Sequence, residues 1–140
     1  MTQPNNTVLL AEDDKHDFFL IQRAFKKAGI PHPIIGVADG EQAMSYLMGD
    51  GAYSNRSEHP LPCLLLTDIK MPRVTGFDLL NWLKNQTELK EIPAIVLSNS
   101  GLETDRARAL QLGARAYYVK PASLEGWVSF ANELRQHWLA

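Results

Sequence analysis

Short apolar runs alternate with longer amphipathic segments along this chain, and that alternation restricts its fold more than any other feature. The short runs occupy residues 8–11, 34–37, 63–67, 94–97 and 116–119. Each is too short for a stable helix, and each is followed by apolar residues at helical spacing. The run at 63–67 has no polar alternation, which is typical of a parallel strand covered on both faces. The pattern therefore predicts five strand–helix units.

Five such units in 140 residues predict an α/β fold in which one parallel sheet lies between two layers of helices. Right-handed crossover connections leave few possible strand orders. We predict the flavodoxin-like arrangement, a doubly wound five-stranded parallel sheet in the order 2-1-3-4-5. One domain over residues 1–140 accounts for this length. The polar residues 1–6 are expected to form a disordered N-terminal segment.

Cap and turn signals mark the ends of several helices. Thr75 with Asp78, and Ser100 with Glu103, have the spacing of a capping box, and Ser123 is expected to open the last helix. The connection at 49–62 is longer than the roughly 2–6 residues usual in such folds, and it is rich in Gly, Ser, Asn and Pro. We favour a tolerated surface insertion there over the alternative, a partner-binding loop.

The composition excludes several classes of function. Fourteen Lys and Arg stand against sixteen Asp and Glu, for a net charge of −2, so the basic excess of a general nucleic-acid binder is missing. No apolar run approaches the ~20 residues that span a bilayer, and the polar start of the chain has no signal-peptide core. We therefore expect a cytoplasmic protein that binds neither nucleic acid nor membrane. Cys63, the single cysteine, is expected to be a small core residue.

Acidic side chains follow two strands that the predicted order makes neighbours. Glu12, Asp13 and Asp14 come directly after the first strand, and Asp68 follows the third. Open α/β sheets bind ligands beyond the carboxyl ends of their strands, where the strand order reverses, and here that point lies between these two strands. Carboxylates so close together need a positive partner. Mg²⁺, a hard cation that prefers oxygen ligands, fits the site, although Asp14 could instead only cap the next helix.

The last two strands end in groups of complementary chemistry. Ser98 ends the fourth strand, and Lys120 follows the fifth, where Pro121 favours an extended backbone at Lys120. One hydroxyl, one cation and several carboxylates are thereby expected on a single edge of the sheet. Either group alone would carry little meaning, but the combination is hard to attribute to helix capping.

These residues resemble the receiver domain of two-component response regulators, the CheY-like family. The resemblance rests on Glu12-Asp13, on Asp68 followed by Met71-Pro72 and Gly76, on Ser98, and on Lys120-Pro121. It covers essentially the whole chain, with the motifs in the family's order. It implies a phosphoacceptor signalling protein rather than a conventional enzyme. Because no output domain is seen in the sequence, we expect it to act by binding other proteins or by passing the phosphoryl group onward.

The resemblance implies which residues accept the phosphoryl group and hold the metal. Asp68 accepts a phosphoryl group from a sensor histidine kinase. Asp13 and Asp68 bind Mg²⁺ through their carboxylates, and Glu12 acts mostly through water. The main-chain carbonyl of Lys70 supplies a further ligand. Although a carboxylate is a weak nucleophile, Mg²⁺ and a nearby cation can neutralise the oxygens of the incoming group.

The resemblance also implies how the phosphoryl group is detected. Lys120 pairs with the phosphoryl oxygens, Ser98 hydrogen-bonds to them, and Tyr117 changes rotamer as Ser98 moves. Tyr117 taken alone would be an ordinary half-buried strand aromatic. Ser98 stands where Thr is common in the family, and either hydroxyl can donate the bond. Ala122 stands where many receivers have a bulky aromatic.

A narrower group is similar as well: the single-domain regulators paired with bacterial phytochromes. The chain shares their length, the long connection before the third strand, and the run at 120–125 that leads into a Trp-containing helix. This similarity implies a phytochrome kinase as the partner.

Three other functions compete with this interpretation. An Asp-nucleophile phosphohydrolase would share the acid and the metal, but it typically needs a second Asp where this chain has Lys70. A nucleotide-binding module would need a glycine-rich phosphate loop, and no such motif occurs. An interaction-only pseudo-receiver is disfavoured only by the intact set of acids, hydroxyl and lysine.

The last helix has a wide apolar arc that indicates an interface. A core stripe at Leu124, Val128, Ala131 and Trp138 is flanked by further large apolar residues, among which Trp127 is expected to be partly exposed. Burial of the whole arc is the alternative. We predict a symmetric homodimer through the fourth helix, fifth strand and fifth helix.

Overall fold

A computed structural model describes residues 6–139 and contains a five-stranded parallel sheet in the order β2-β1-β3-β4-β5. This order confirms the one predicted from the sequence. The expected disordered segment at 1–6 lies, apart from Asn6, outside the described residues. The elements are β1 (Val8–Ala11), α1 (Lys15–Lys27), β2 (Ile34–Val37), α2 (Gly40–Met48), β3 (Leu64–Thr67), α3 (Gly76–Lys84), β4 (Ala94–Ser98), α4 (Glu103–Gln111), β5 (Ala116–Val119) and α5 (Leu124–His137).

The sheet is covered on both faces, which explains why its central strands are apolar throughout. Alternate residues of a strand point to opposite faces, so Leu9 and Leu65 pack on one side and Leu10 and Leu64 on the other. Helices α2, α3 and α4 cover the first face, and α1 and α5 cover the second. Each fully buried leucine contributes about 1.5–3 kcal/mol by leaving water. Over residues 6–139, no helix is long and apolar enough to cross a membrane.

Register brings the carboxyl ends of the strands level with one another. Ala11 pairs with Thr67 across β1 and β3, and the main-chain N–H of Asp68 donates to the Ala11 carbonyl at 3.1 Å. The N–H of Lys120 likewise donates to the Ser98 carbonyl at 2.7 Å. The first residue after each of these strands is therefore held by the sheet itself.

Two of the three predicted helix starts are confirmed, and one is wrong. The Thr75–Asp78 capping box has both of its hydrogen bonds, and the Ser123 hydroxyl accepts from an N–H of the first turn of α5. The predicted Ser100–Glu103 box does not form. Helix α4 begins at Glu103 itself, and its cap, Leu102, makes no side-chain hydrogen bond.

The reason lies in the partner that Ser100 takes. Its hydroxyl donates to the carboxylate of Asp105 at 2.6 Å and accepts from the N–H of Leu102 at 3.3 Å. These bonds close a tight turn before the helix. Ser100 therefore lies two residues before the cap position of α4, which Leu102 occupies.

Residues 49–62, which we call the α2–β3 segment, are packed rather than loosely attached. The segment begins with a single turn of 3₁₀ helix, Gly51–Tyr53. The guanidinium of Arg56 donates to the carbonyls of Tyr46 at 2.8 Å and of Leu47 at 2.7 Å. These carbonyls belong to the last turn of α2, where a helix leaves carbonyl groups unpaired, and the Tyr46 carbonyl also accepts from the N–H of Gly49 at 3.1 Å. Arg56 therefore caps the helix that precedes it.

Aromatic contacts hold the same segment from the other side. The Tyr46 hydroxyl donates to the Pro60 carbonyl at 2.8 Å. The Tyr46 and Tyr53 rings lie 5.1 Å apart, and Tyr53 meets His59 edge to face at 5.3 Å. The segment is thus an ordered part of the α2 side of the protein. Whether it also binds a partner stays a prediction.

The apolar arc of α5 is buried more completely than expected. Trp127 is 2% exposed, so the prediction that it is partly exposed is wrong. Trp127 and Phe130 pack edge to face at 6.4 Å in the core between α5, α1 and the sheet, together with Ala131 and Leu134. The arc is wide because α5 contacts both the sheet and α1. Cys63 packs beside the same core as a half-buried residue, and burial raises the pKa of its thiol.

Candidate functional site

Three carboxylates meet where β1 and β3 end. Glu12, Asp13 and Asp68 offer oxygen atoms that all lie within 4.8 Å of one another. Glu12 and Asp68 are buried, whereas Asp13 is exposed. This acidic cluster is the one that the strand order predicted. A set of carboxylate oxygens with one open side suits a hard divalent cation that keeps part of its water shell.

Asp14, the fourth acid of this region, has a different role. Its carboxylate accepts from the N–H of His16 at 2.8 Å and of Asp17 at 3.3 Å. Asp14 is therefore the N-cap of α1. The alternative interpretation from the sequence, helix capping, holds for this residue.

Burial makes Glu12 resist ionisation. Burial raises its pKa from 4.5 to about 7, and the neighbouring charge of Asp68 adds to the increase, against an opposing effect of Lys120. A carboxylate in this position is poorly solvated. A cation bound to the acidic cluster would stabilise its charged form.

Lys120 contacts two members of the acidic cluster directly. Its ammonium nitrogen lies 2.7 Å from Glu12 Oε1 and 2.9 Å from Asp68 Oδ2. The Lys120 side chain is only 4% exposed. Burial lowers the pKa of Lys120, but hydrogen bonds to Asp17, Glu12 and Asp68 outweigh it, so the pKa is raised above its ordinary value. The ammonium therefore stays charged at every physiological pH.

Asp17 is the member of this site that the sequence analysis missed. It lies in the first turn of α1, and its Oδ2 accepts from the Lys120 ammonium at 2.7 Å. Its side chain is 15% exposed. The only signal for it in the sequence is an acid one turn into the helix that follows β1. Nothing in the spacing says that such an acid reaches the lysine after β5.

The backbone fixes the orientation of Asp68. The N–H of Ile69 donates to Asp68 Oδ1 at 2.6 Å, which leaves Oδ2 for Lys120. Gly76, the first residue of α3, lies against the main-chain carbonyl of Asp68 with no space for a Cβ. The N–H of Gly76 also donates to the Ile69 carbonyl at 2.8 Å. Helix α3 thereby holds the turn that follows β3.

A cleft opens from Asp68 toward the end of β4. Its volume is about 270 Å³, and it is lined by Asp68, Lys70, Ser98, Asn99, Ser100, Gly101 and Leu102. Ser98 is 2% exposed and borders this cleft. Lys70 has an exposed side chain and lies on the rim. The predicted site residues of β1, β3, β4 and β5 thus converge on one edge of the sheet.

The hydroxyl at the end of β4 is linked to an aromatic side chain on β5. Ser98 Oγ accepts from the N–H of Ser100 at 3.1 Å. The Tyr117 hydroxyl donates to the Ser100 carbonyl at 2.7 Å, and Tyr117 is buried. A movement of the β4–α4 turn would therefore alter both contacts. This turn lies between the cleft and helix α4.

Comparison with protein families gives one extensive match. Residues 8–130 match the response regulator receiver domain. Among individual proteins, the chain is 33% identical over 138 residues to "Response regulator Rcp1" of Synechocystis sp., a match that covers 99% of this chain and 92% of that protein.

Solved structures of similar proteins share the same fold. The phosphorylated cyanobacterial phytochrome response regulator RcpA is 34% identical, with a TM-score of 0.89 and coverage of 98% of this chain and 96% of that one. The Mn²⁺-bound form of Rcp1 is 33% identical, with a TM-score of 0.85 and coverage of 96% and 94%. The flavodoxin-like topology predicted from the sequence is therefore also that of its structural relatives. One relative was crystallised phosphorylated and one with a divalent metal.

Proposed function

Because this chain belongs to the response regulator receiver domain family, we propose that Asp68 accepts a phosphoryl group from the histidine of a sensor kinase. Proteins of this family are signalling proteins rather than conventional enzymes, and a histidine kinase is the partner that the family implies. The observation that carries the proposal is the contact of Lys120 with Asp68 at 2.9 Å beside the acidic cluster. A buried cation and a metal site flank the same carboxylate.

The chemistry follows from that arrangement. An oxygen of Asp68 attacks phosphorus, the new O–P bond forms as the P–N bond of the phosphohistidine breaks, and the electron pair stays on the imidazole. Lys120 neutralises part of the charge on the phosphoryl oxygens. Phosphoryl transfer depends mainly on positioning and on charge stabilisation. The kinase supplies the reactive phosphorus, so no general base is needed on this chain.

The acidic cluster would hold a divalent cation, and we propose Mg²⁺. Asp13 and Asp68 would bind through carboxylate oxygens, Glu12 through water, and Lys70 through its main-chain carbonyl. An all-oxygen donor set with an exposed member suits Mg²⁺, which dehydrates reluctantly. When bound, the cation supplies positive charge to the phosphoryl oxygens.

The response to phosphorylation would run through β4 and β5. A phosphoryl group adds acceptor oxygens and charge within reach of Lys120 and of the Ser98 hydroxyl. We propose that Ser98 turns toward this group. The turn at Ser100 and the Tyr117 side chain would then rearrange. Ser98 Oγ accepts from the N–H of Ser100, and the Tyr117 hydroxyl donates to the carbonyl of the same Ser100. The change would reach the surface of α4 and β5, where other proteins can detect it.

We further propose that the kinase is a phytochrome. The relative RcpA is a cyanobacterial phytochrome response regulator, and the similarity to it covers 98% of this chain. The exchange would take place in the cytoplasm, where an unpaired thiol such as that of Cys63 stays reduced.

A homodimer through α4, β5 and α5 stays part of the proposal, on other residues than the sequence indicated. Trp127 is buried and cannot serve. Three exposed large apolar side chains lie at the cap of α4, on α4 and on β5 instead: Leu102 at 63%, Leu110 at 40% and Val119 at 52%. Covering them would remove apolar surface from water.

The experiment that tests the phosphoacceptor uses a small donor. Phosphoramidate or acetyl phosphate with Mg²⁺ should add one acid-stable, base-labile phosphoryl group, located on Asp68 by peptide mass spectrometry. Asp68→Asn should abolish it, since an amide is a poor nucleophile. Asp50→Asn is the matched control, because Asp50 is exposed and makes no side-chain cap bond. Undiminished phosphorylation of Asp68→Asn would overturn the assignment.

The same assay separates the competing functions. Sustained release of phosphate from many esters with Mg²⁺ would indicate a phosphohydrolase instead. A wild-type protein that stays unmodified with every donor and with its kinase would be an interaction-only pseudo-receiver.

A further inference from the structure

Asp17 lies outside the acidic cluster and has no part in the chemistry proposed above. Among the described residues, the group of carboxylates placed to share a metal comprises Glu12, Asp13 and Asp68 only. Asp17 instead meets Lys120, with 2.7 Å between Oδ2 and the ammonium nitrogen. Both side chains are largely buried, at 15% and 4% exposure. A carboxylate held this close to a buried ammonium makes a strong, charge-assisted hydrogen bond.

The ammonium of Lys120 lies among three carboxylates. A lysine ammonium has three N–H donors, and Lys120 contacts three carboxylates, those of Glu12, Asp17 and Asp68. Two of these three belong to the acidic cluster. A divalent cation and a phosphoryl group would both draw on those two. Asp17 lies outside the group of carboxylates on which either ligand would draw.

The position of Asp17 is itself well determined. Its N–H donates to the Asp14 carboxylate at 3.3 Å in the first turn of α1. Helix α1 packs against the sheet and against α5 through Ile21 and Phe25. Lys120 has a flexible four-carbon stem, so its ammonium needs a fixed partner to stay in one place. Asp17 provides that partner from a rigid element.

We propose that Asp17 is a positioning residue that holds the Lys120 ammonium beside Asp68 throughout phosphorylation. It acts through Lys120 and does not touch the phosphoryl group. This inference rests on the proposed function of Asp68 and Lys120. Its alternative is that Asp17 merely adds negative charge near the site.

Two substitutions in one helical turn distinguish these alternatives. Asp17→Asn and Asp14→Asn each remove one negative charge from the first turn of α1, and Asn also keeps the cap at position 14. Only the first breaks an ion pair with Lys120. Phosphorylation of Asp68 by phosphoramidate should slow about tenfold in Asp17→Asn, the size expected from a lost hydrogen bond to a charged group. Asp14→Asn should leave the rate close to that of the wild type.

Three further measurements separate positioning from a general structural effect. Mg²⁺ affinity by calorimetry should be nearly unchanged in Asp17→Asn, because the acidic cluster is intact. Asp17→Glu, which keeps the charge, should recover part of the rate. In a Lys120→Ala background, Asp17→Asn should cause no additional loss, since the group that it positions is gone.

Two outcomes would overturn the inference. One is a rate for Asp17→Asn equal to that of Asp14→Asn. The other is a loss of the same factor with and without Lys120. Failure of the proposed function looks different, because the wild type itself would then not be phosphorylated on Asp68. In that case a double-mutant cycle on urea unfolding still tests the Asp17–Lys120 contact, and zero coupling would refute it.

Discussion

Gly76 lies directly against the main-chain carbonyl of Asp68, so closely that a Cβ at position 76 would overlap with that oxygen. The first residue of α3 therefore sets how near the helix comes to the phosphoacceptor. Gly76→Ala should force the turn after β3 to move, which we expect to cost about 1–3 kcal/mol of stability. It should also slow phosphorylation of Asp68. Urea unfolding and the phosphoramidate assay measure the two effects.

The control for this substitution is Gly101→Ala. A Cβ at Gly101 would meet nothing within 4 Å, although Gly101 also lines the cleft beside Asp68. Its stability should match that of the wild type within error. Equal stability of both variants would show that Gly76 tolerates a side chain.

A second prediction concerns the pH dependence of stability without metal. Unfolded Glu12 titrates near 4.5 and folded Glu12 near 7. Between these values the folded state keeps a proton that the unfolded state has lost, so stability falls as pH rises through this window. The contribution is up to about 3 kcal/mol. Lys120 does not contribute to this pH dependence. Its ordinary pKa of 10.5 lies far above this pH range, and folding raises that pKa further, so Lys120 is protonated in both states.

Glu12→Gln isolates this effect. The variant lacks the titrating carboxyl, so its free energy of unfolding should decline less between pH 5 and pH 8 than that of the wild type. Denaturant unfolding in the presence of a chelator gives both curves. Parallel curves would mean that Glu12 ionises normally in the folded protein.

Metal binding is the third prediction. Mg²⁺ should bind weakly without phosphorylation, and Asp13→Ala should remove most of the binding, because Asp13 is the exposed, accessible member of the acidic cluster. Calorimetric titration measures the affinity. Asp14→Asn is again the control, since Asp14 caps α1. An unchanged affinity in Asp13→Ala would place the metal elsewhere.

The fourth prediction tests the α2–β3 segment. Arg56→Ala should destabilise the protein by about 1–3 kcal/mol, because the carbonyls of Tyr46 and Leu47 lose the charged donor that Arg56 supplies while remaining partly buried. Arg115→Ala removes an exposed arginine and should have little effect. Thermal unfolding of the two variants provides the comparison. If Arg56→Ala lost no more stability than Arg115→Ala, the contact of Arg56 with α2 would not stabilise the protein.

The fifth prediction concerns the association of this protein into a homodimer. If α4 and β5 form the dimer face, sedimentation velocity should detect a dimer whose population increases on phosphorylation. Val119→Asp should suppress it, because Val119 is 52% exposed and a charge there opposes burial. Phe19→Asp, on α1 and equally exposed at 54%, should not. A wild-type monomer at high concentration, with and without donor, would reject the dimer.

Much of the fold could be predicted from the sequence because burial on both faces makes the strands apolar throughout. The apolar runs around Leu65 and Ile95 fit only the middle of a parallel sheet that is covered on both faces. The strand order then places Glu12 and Asp68 on adjacent ends. For that reason the acidic cluster, too, could be predicted from the sequence.

What could not be predicted depends on side-chain reach and on competing local partners. The contact between Asp17 and Lys120 joins α1 to the end of β5, and residue spacing gives no measure of that distance. Ser100 bonds to Asp105 instead of capping α4, although its spacing to Glu103 fits both arrangements. Trp127 is buried in the core that α5, α1 and the sheet share, and helical periodicity alone does not say how much of an apolar arc the neighbouring elements cover.

The hold of Arg56 and Tyr46 on residues 49–62 also decides where a reporter group can be attached. Ala52 is exposed and lies in the 3₁₀ turn next to Tyr53. The Tyr53 ring packs against the ring of Tyr46 in α2. A fluorophore on a cysteine introduced at Ala52 would therefore tumble with the helix and not with a free loop. The fluorescence anisotropy would follow the rotation of the whole molecule. A decrease in anisotropy would show that the α2–β3 segment had separated from α2.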